Sequence, residues 1–190
     1  MQRPYCNSTI APMAVIIMGV SGSGKSTLGE RLADALGAPF LEGDSYHDAA
    51  AVAKMRSGHP LDDADRWPWL DRLGAALGAA VRRDGIAVAA CSALRRRYRT
   101  RLIDAIVEPT RFILLDNSPA ELQRRMAARV GHYMPPSLLD SQIATLERPT
   151  ADEPAMILDA GATPEASCAA SVEWLVGEAS RLRARDTVQR

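Results

Sequence analysis

Apolar residues recur along the chain in short, nearly continuous runs that alternate with stretches of helical periodicity. The runs predict five β-strands, at residues 13–20, 39–44, 85–92, 111–116 and 155–160. After the first run, Leu28, Leu32 and Leu36 stand one helical turn apart, and Gly37 marks the end of that predicted helix. Strands that are apolar throughout and separated by helices are typical of a parallel sheet covered on both faces. The pattern therefore predicts an α/β fold of three layers, α/β/α, around a five-stranded parallel sheet.

Two later helices have sequence signals at their starts. Ser118 precedes Pro119, and Glu121 follows three residues after the serine, a pattern that predicts an N-cap with a capping box. Residues 163–165, TPE, predict the start of the last helix in the same way. Ligands of such sheets bind at the carboxyl ends of the strands, so the residues directly after each strand are the candidates for function.

The length and composition favour one domain. No repeat, low-complexity tract or linker divides the 190 residues. We expect a single domain over residues 13–185, with a disordered leader at 1–12 and a short tail at 186–190. The longest apolar stretch, MAVIIMGV, is far shorter than the roughly 20 residues that cross a bilayer.

Charge and cysteine content exclude several classes of partner. Lys and Arg number 23, as do Asp and Glu, so no overall field attracts nucleic acid or an anionic membrane. Cys6, Cys91 and Cys168 are an odd count without paired spacing, which argues against disulfides or a zinc cage and fits the reducing cytoplasm. Cys91 lies in an apolar run and is predicted to pack in the core.

Residues 19–26, GVSGSGKS, match the phosphate-binding pattern G-x-x-x-x-G-K-[ST] between a predicted strand and a predicted helix. Gly22 and Gly24 allow backbone N–H groups to converge on phosphate oxygens. Lys25 is expected to bridge the β- and γ-phosphates in catalysis, and the Ser26 hydroxyl to bind Mg²⁺. The predicted ATP-binding residues of this loop are Gly19, Ser21, Gly22, Ser23, Gly24, Lys25, Ser26 and Thr27. The alternative is a flexible glycine-rich loop that matches by chance.

A phosphate loop indicates a nucleoside triphosphate but not the reaction. The NKxD string with which a GTPase reads guanine does not occur in the sequence. The third strand closes in CSALRRRYR, where a motor or transporter ATPase would normally carry an aspartate at its metal site. The sequence therefore favours a kinase of a small molecule.

The second predicted strand ends in LEGDSYH, which places acidic residues beside the phosphate loop. Glu42 and Asp44 are two residues apart, so on a strand both would face the cleft. Asp44 is the predicted catalytic carboxylate, which orients an acceptor hydroxyl and takes its proton, and Glu42 is predicted to hold Mg²⁺ through water. His47 is a candidate substrate-binding residue. The alternative for either acid is a helix cap or a solvated turn.

Longer strings resemble the bacterial gluconokinases, small P-loop kinases related in fold to shikimate and adenylate kinases. The strings are MGVSGSGKST, FLEGDSYH, KMRSGHPLDDADRWPWL, CSALRRRYR and ARVGHYMPPSLLDSQIATLERPTADE. The resemblance implies a P-loop fold of the nucleoside-monophosphate and shikimate kinase type with a helical lid. It also implies transfer of the γ-phosphate of ATP to the 6-hydroxyl of D-gluconate, and a homodimer.

The resemblance further implies that residues 45–70 form a flap over the sugar acid. Its implied members are Asp62, Asp65, Arg66 and Trp69, with Lys54 on the preceding helix. The carboxylate of gluconate needs a cation in a desolvated pocket, and tryptophans would exclude water. The alternative is that Trp67 and Trp69 only anchor a helix that Asp62 and Asp65 cap; it is favoured for Trp67, and both interpretations stay open for Arg66.

Four arginines follow the third strand. Residues four apart share a helix face, so Arg95 and Arg99 are predicted to reach one site together, with Arg96 and Arg97 solvated. The family pattern has a basic residue at position 95. We assign Arg95 and Arg99 to the acceptor or the transferred phosphate, and Ser92 to a sugar hydroxyl.

Residues 125–142 predict a lid over ATP, because a basic helix breaks at Gly131 and restarts after Pro136. Arg125 and Arg129 lie one turn apart and are expected to face the phosphates, Arg129 as a catalytic residue. His132 is a candidate substrate-binding donor that also fits a structural role. By resemblance, residues 146–153, LERPTADE, belong to the adenine side.

The chain departs from the family pattern at Asp48 and Ala51, where Pro and Asn are frequent, and at Val130, where a lysine is frequent. Two other functions stay open: a kinase of another small hydroxylated acceptor, such as shikimate or a nucleoside monophosphate, and a nucleotide-binding regulator without catalysis.

Overall fold

A five-stranded sheet forms the centre of the molecule. The computed structural model describes residues 11–127, 136–159 and 161–188. The strands are β1 (Met13–Met18), β2 (Phe40–Glu42), β3 (Ile86–Ala90), β4 (Thr110–Asp116) and β5 (Ala155–Asp159). All pair in parallel, in the order β2-β3-β1-β4-β5. The predicted five-stranded parallel sheet is confirmed.

Helices connect the strands. They are α1 (Lys25–Leu36), α2 (Ala49–Arg56), α3 (Asp63–Asp84), α4 (Arg96–Ile106), α5 (Pro119–Ala127), α6 (Pro136–Thr145) and α7 (Pro164–Val188). Gly37 ends α1 as predicted, in a left-handed conformation. The Ser118 hydroxyl accepts from the Glu121 N–H at 3.3 Å, and the Thr163 hydroxyl accepts from the Ala166 N–H at 3.2 Å, so both predicted N-caps form.

The two faces of the sheet bury different helices. On one face, Ala14, Ile16 and Met18 of β1 pack in a core with α3 and α4. On the other face, Met13, Val15 and Ile17 pack with α1 and α7. Because both faces are covered, every residue of β1 is buried, which explains why this strand has no polar alternation. The three predicted layers are confirmed, and β1 lies at their centre.

Cys91, directly after β3, is fully buried in the core with α3 and α4. This burial raises the pKa of its thiol to about 12, so the thiol stays protonated at neutral pH. The side chain packs as a small apolar group, as predicted.

At the carboxyl end, α7 continues to Val188, into the stretch that the sequence suggested as a tail. None of the helices in the described ranges combines the length and the apolar character that spanning a membrane requires.

Candidate active site

The phosphate loop lies between β1 and α1, at the carboxyl edge of the central strand. Gly22 and Gly24 have φ angles of 79° and 98°, in the left-handed region that favours glycine. Gly24 is the N-cap of α1, and its carbonyl accepts from the Leu28 N–H at 3.0 Å. Lys25 Nζ donates to the Val20 carbonyl at 3.0 Å. The loop and the helix start therefore provide the anion-binding geometry that the motif predicts.

The predicted metal-binding residues meet at the next strand. Ser26, in the first turn of α1, donates its hydroxyl to Glu42 Oε2 at 2.6 Å. Glu42 is the last residue of β2. The Ser26 hydroxyl oxygen and the Glu42 carboxylate, two candidate metal ligands from different elements, thus lie together beside the phosphate loop, as the sequence predicts.

Asp44 is reached by a turn, not by a strand. Gly43 to Tyr46 form a 3-10 helix directly after Glu42. The turn needs glycine at position 43, because a Cβ there would come within 2.2 Å of the Ala90 carbonyl oxygen. The prediction that Glu42 and Asp44 alternate along one strand is therefore wrong. The turn nevertheless brings the exposed Asp44 carboxylate to the wall of a cleft.

His47 and Trp69 form a second part of that wall. Their rings stack at a centroid distance of 4.1 Å with an interplanar angle of 20°, and the Trp69 indole N–H donates to the Gly43 carbonyl at 2.7 Å. The His47 side chain is 4% exposed, and its Nε2 lies 4.0 Å from Asp44 Oδ1. Burial lowers the pKa of His47, against the opposing effect of Asp44, so the imidazole is neutral at neutral pH. Trp69 thus anchors α3 and also shapes the site.

A single cleft, defined here as the central cleft, joins the phosphate loop to these residues. It measures about 780 Å³, counted with its open mouth. The predicted site residues that line it are Ser21, Lys25, Asp44, His47, Arg66 and Ser92. Met55, His59, Pro60, Leu61, Trp69, Leu94, Ser141, Gln142 and Thr145 complete the lining. The lining therefore combines polar and charged side chains with apolar ones.

Arg66 is held in the cleft by a residue that sequence reasoning missed. Its Nη1 donates to the Tyr98 hydroxyl at 2.9 Å, and that hydroxyl donates to Asp63 Oδ1 at 2.6 Å. The guanidinium also lies 5.2 Å from the centroid of the Tyr98 ring. Tyr98 is buried in the core, and in the sequence it stands between two arginines. A single aromatic residue within RRRYR was the only sequence signal that pointed to this role.

Arg99 does not face the cleft, and its assignment to the acceptor or phosphate is wrong. Its side chain is 1% exposed and makes two hydrogen bonds to the Glu153 carboxylate, at 2.6 and 2.8 Å. The remaining nitrogen donates to the carbonyls of Ala93 and Glu147, at 3.2 and 3.0 Å. A buried guanidinium must be paired in this way, so Arg99 joins α4 to the loop before β5.

Arg95 also differs from expectation, whereas its neighbours Arg96 and Arg97 are solvated in part, as expected. Arg95 is the N-cap of α4 with extended backbone angles, so it shares no helix face with Arg99 and is not among the residues that line the central cleft. Arg96 binds Asp152 at 2.5 Å and Arg97 binds Asp63 at 2.6 Å, each with about half of its side chain exposed. These two arginines are partly solvated, as predicted, and are also paired.

Lys54 belongs to the start of α3 and not to the central cleft. Its Nζ lies 2.5 Å from Asp65 Oδ2 and 3.2 Å from Asp62 Oδ2. Asp62 is the N-cap of α3: its side chain accepts from the Asp65 N–H at 3.0 Å, and the Asp65 side chain accepts from the Asp62 N–H at 2.9 Å. Asp62 and Asp65 therefore cap α3, which was the alternative to a role in substrate binding. Lys54 pairs with these two carboxylates, so its assignment to the substrate is wrong.

This capping box gives a stability prediction. Asp62→Ala removes the side-chain acceptor at the α3 N-terminus and is expected to lower the Tm by about 2–4 °C. Asp62→Asn keeps an N-cap acceptor and is expected to lose less. Thermal unfolding followed by circular dichroism measures both, and an equal loss in the two variants would contradict the capping role.

The predicted lid is only partly within the described residues. Arg129, Val130 and His132 lie outside them, as does the side chain of Arg125. The stretch 146–153, which stays a prediction for the adenine side, is described and packs against α4. The Glu147 N–H donates to the Leu94 carbonyl at 2.8 Å, and the ion pairs of Asp152 and Glu153 hold this stretch against α4. It therefore connects the end of α6 to the start of β5 and is fixed to α4 on the way.

Fold and site together define a class. A parallel sheet with a phosphate loop after its central strand, and a polar cleft beside that loop, is the arrangement of a P-loop kinase of small molecules. Residues 15–149 match a family model described as AAA domain. The chain also aligns with the shikimate kinase of Aquifex aeolicus at a TM-score of 0.55 and 15% identity, a likeness of fold alone.

The relatives identify the family within this class. The chain is 48% identical to a gluconokinase of Gluconobacter oxydans, over 76% of this chain and 81% of that protein. It is 42% identical to the thermosensitive gluconokinase of Escherichia coli, over 76% of each. The crystal structure of a gluconokinase from Sinorhizobium meliloti superimposes with a TM-score of 0.80 at 39% identity, over 92% of this chain and 97% of that one. The chain belongs to the gluconokinase family.

Proposed function

We propose that this protein transfers the γ-phosphate of ATP to the 6-hydroxyl of D-gluconate, giving 6-phospho-D-gluconate and ADP. The observation that carries the proposal is the central cleft, in which Lys25 and Ser21 of the phosphate loop share one cavity with Asp44 and Arg66. The relatives named gluconokinase give the acceptor.

The cleft suits a polyol that ends in a carboxylate. Arg66 is fixed by Tyr98 and presents the cation that an anionic end requires. Asp44, Ser92 and neutral His47 offer acceptors and donors for hydroxyl groups. The indole of Trp69 supplies an apolar side wall that limits water around the reacting oxygen.

In the proposed reaction, Asp44, Lys25 and the N–H groups of the phosphate loop each have a distinct role. A bond forms between the acceptor oxygen and the γ-phosphorus, and the bond from that phosphorus to the β–γ bridging oxygen breaks, so that ADP leaves. Asp44 orients the hydroxyl and takes its proton. Lys25 and the loop N–H groups stabilise the charge on the transferred phosphoryl group.

Magnesium is part of the proposal, and the residues present fit it. Ser26 and Glu42 already bring two oxygen atoms within 2.6 Å of each other beside the loop. No cluster of three or more potential ligands among His, Cys, Asp and Glu occurs in the described part of the chain. This suits a cation held by few protein atoms, since Mg²⁺ in such kinases is bound largely by phosphates and water. Bound there, it would neutralise phosphate charge; Ser26 would bind it directly and Glu42 through water.

Two further parts of the proposal come from the sequence and the family. The cysteines in the described residues, Cys91 and Cys168, are free thiols, in keeping with a cytoplasmic location. A homodimer is the proposed assembly, and size-exclusion chromatography with light scattering would test it.

Arg66 gives a prediction for substrate binding. Arg66→Ala is expected to raise the KM for gluconate by about 10- to 100-fold, the effect of losing a hydrogen bond to a charged group, with the KM for ATP little changed. Arg101→Ala is the matched control, because Arg101 pairs with Asp71 at the surface and does not line the central cleft. A raised KM for ATP alone would place Arg66 on the nucleotide side.

The proposal as a whole is tested by ADP release with Mg·ATP and a panel of acceptors: gluconate, shikimate, glycerate and nucleoside monophosphates. Stimulation by gluconate alone is the expected result. Stimulation by a different acceptor would keep the kinase and reject the substrate. ATP binding without stimulation by any acceptor would favour a nucleotide-binding regulator.

A further inference from the structure

Gln142 makes a contact that joins α6 to the phosphate loop. The N–H of Ser21 donates to Gln142 Oε1 at 2.7 Å in a partly buried setting. The two residues are 121 positions apart in sequence, so the contact is tertiary. Ser21 is the third residue of the loop GVSGSGKS. This hydrogen bond therefore holds the side chain of Gln142 next to the phosphate loop.

The bond to Ser21 also fixes which way the carboxamide points. A backbone N–H can be satisfied only by the amide oxygen, so Nε2 must be the atom of the carboxamide that points away from the Ser21 N–H. This group carries two N–H donors. Among the residues that the structure describes, none accepts a hydrogen bond from it. Gln142 lines the central cleft together with Asp44, His47 and Arg66.

We propose that Gln142 is a substrate-positioning residue, whose Nε2 donates to an oxygen of D-gluconate near the hydroxyl that receives the phosphate. The inference rests on the proposed function and adds a residue to it. Oε1 is bound to the phosphate loop, and Gln142 lines the same cleft as Asp44 and Arg66, so the donors on Nε2 are available close to both the loop and the acceptor residues. The same side chain thus couples the position of the loop to the position of the acceptor, and it favours a hydroxylated substrate over an apolar one.

Gln142→Glu separates the two halves of the side chain. The carboxylate has nearly the same shape and keeps an oxygen for the Ser21 N–H, but it has no N–H donors and repels other oxygens. Titration calorimetry of gluconate into protein saturated with ADP is expected to show a Kd at least about tenfold higher than that of the unchanged protein. The affinity for ADP itself, measured without gluconate, is expected to change much less. Ser180→Ala is the control, since the exposed Ser180 hydroxyl donates to the Val176 carbonyl on α7 and Ser180 does not line the central cleft.

The outcomes distinguish this inference from the proposed function. If the unchanged protein binds ADP but not gluconate, the proposed function fails and Gln142 loses its substrate. If the unchanged protein binds gluconate and Gln142→Glu binds it equally well, the positioning role alone is rejected. Equal losses for gluconate and ADP in a variant with an unaltered Tm would mean that Gln142 acts only through the loop, and would also reject it.

Discussion

Asp44→Asn is expected to lower kcat by about 10²- to 10⁴-fold while leaving the affinity for ATP nearly unchanged. Asparagine keeps the size of the side chain and can still hydrogen-bond a hydroxyl, but it cannot take the proton that the hydroxyl loses. The phosphate loop that binds the nucleotide is on another element and stays intact. Steady-state kinetics with gluconate and Mg·ATP would measure kcat, and calorimetry of ATP binding without gluconate would measure the affinity for ATP.

Asp48→Asn is the matched control for this variant. Asp48 is an exposed aspartate four residues further on, where its side chain caps α2 by accepting from the Ala51 N–H at 2.8 Å. Asparagine is an equally good N-cap, so kcat should stay close to the starting value. The cap also explains one departure from the family pattern, since Asp48 can start α2 without the proline that is frequent in the family. Similar losses in Asp44→Asn and Asp48→Asn would argue against a specific catalytic role for Asp44.

The parts of this protein that sequence predicts are those set by local pattern. The strands of the sheet are recognisable because burial on both faces makes them almost wholly apolar, and the phosphate loop because its function fixes residue types over only eight positions. The N-caps at Ser118 and Thr163 are equally local. The end of β2 was misplaced because the turn there depends on the approach of Gly43 to the Ala90 carbonyl, which belongs to another strand.

The arginines and lysine around the site were harder to assign, because their partners are distant in sequence. Arg99 looks like a surface or substrate-binding residue until Glu153, 54 positions later, is placed against it. Lys54, on α2, likewise forms ion pairs with Asp62 and Asp65 at the start of α3. The composition gives the number of cations but does not show which of them are already paired. Because this chain has as many acidic as basic residues, any of its cations can have an internal partner, and only the fold shows which ones do.

Lys25→Ala is expected to lower kcat by about 10²- to 10³-fold, since it removes a cation from the place where phosphoryl charge develops. Lys54, the other lysine of the chain, is the internal control. Its Nζ is paired outside the central cleft, so Lys54→Ala should weaken the contact of α2 with α3 but leave kcat close to normal. A coupled ADP-release assay measures both variants. Near-normal turnover in Lys25→Ala would mean that the loop is not the catalytic phosphate site, whereas a collapse of kcat in Lys54→Ala would return that residue to the acceptor.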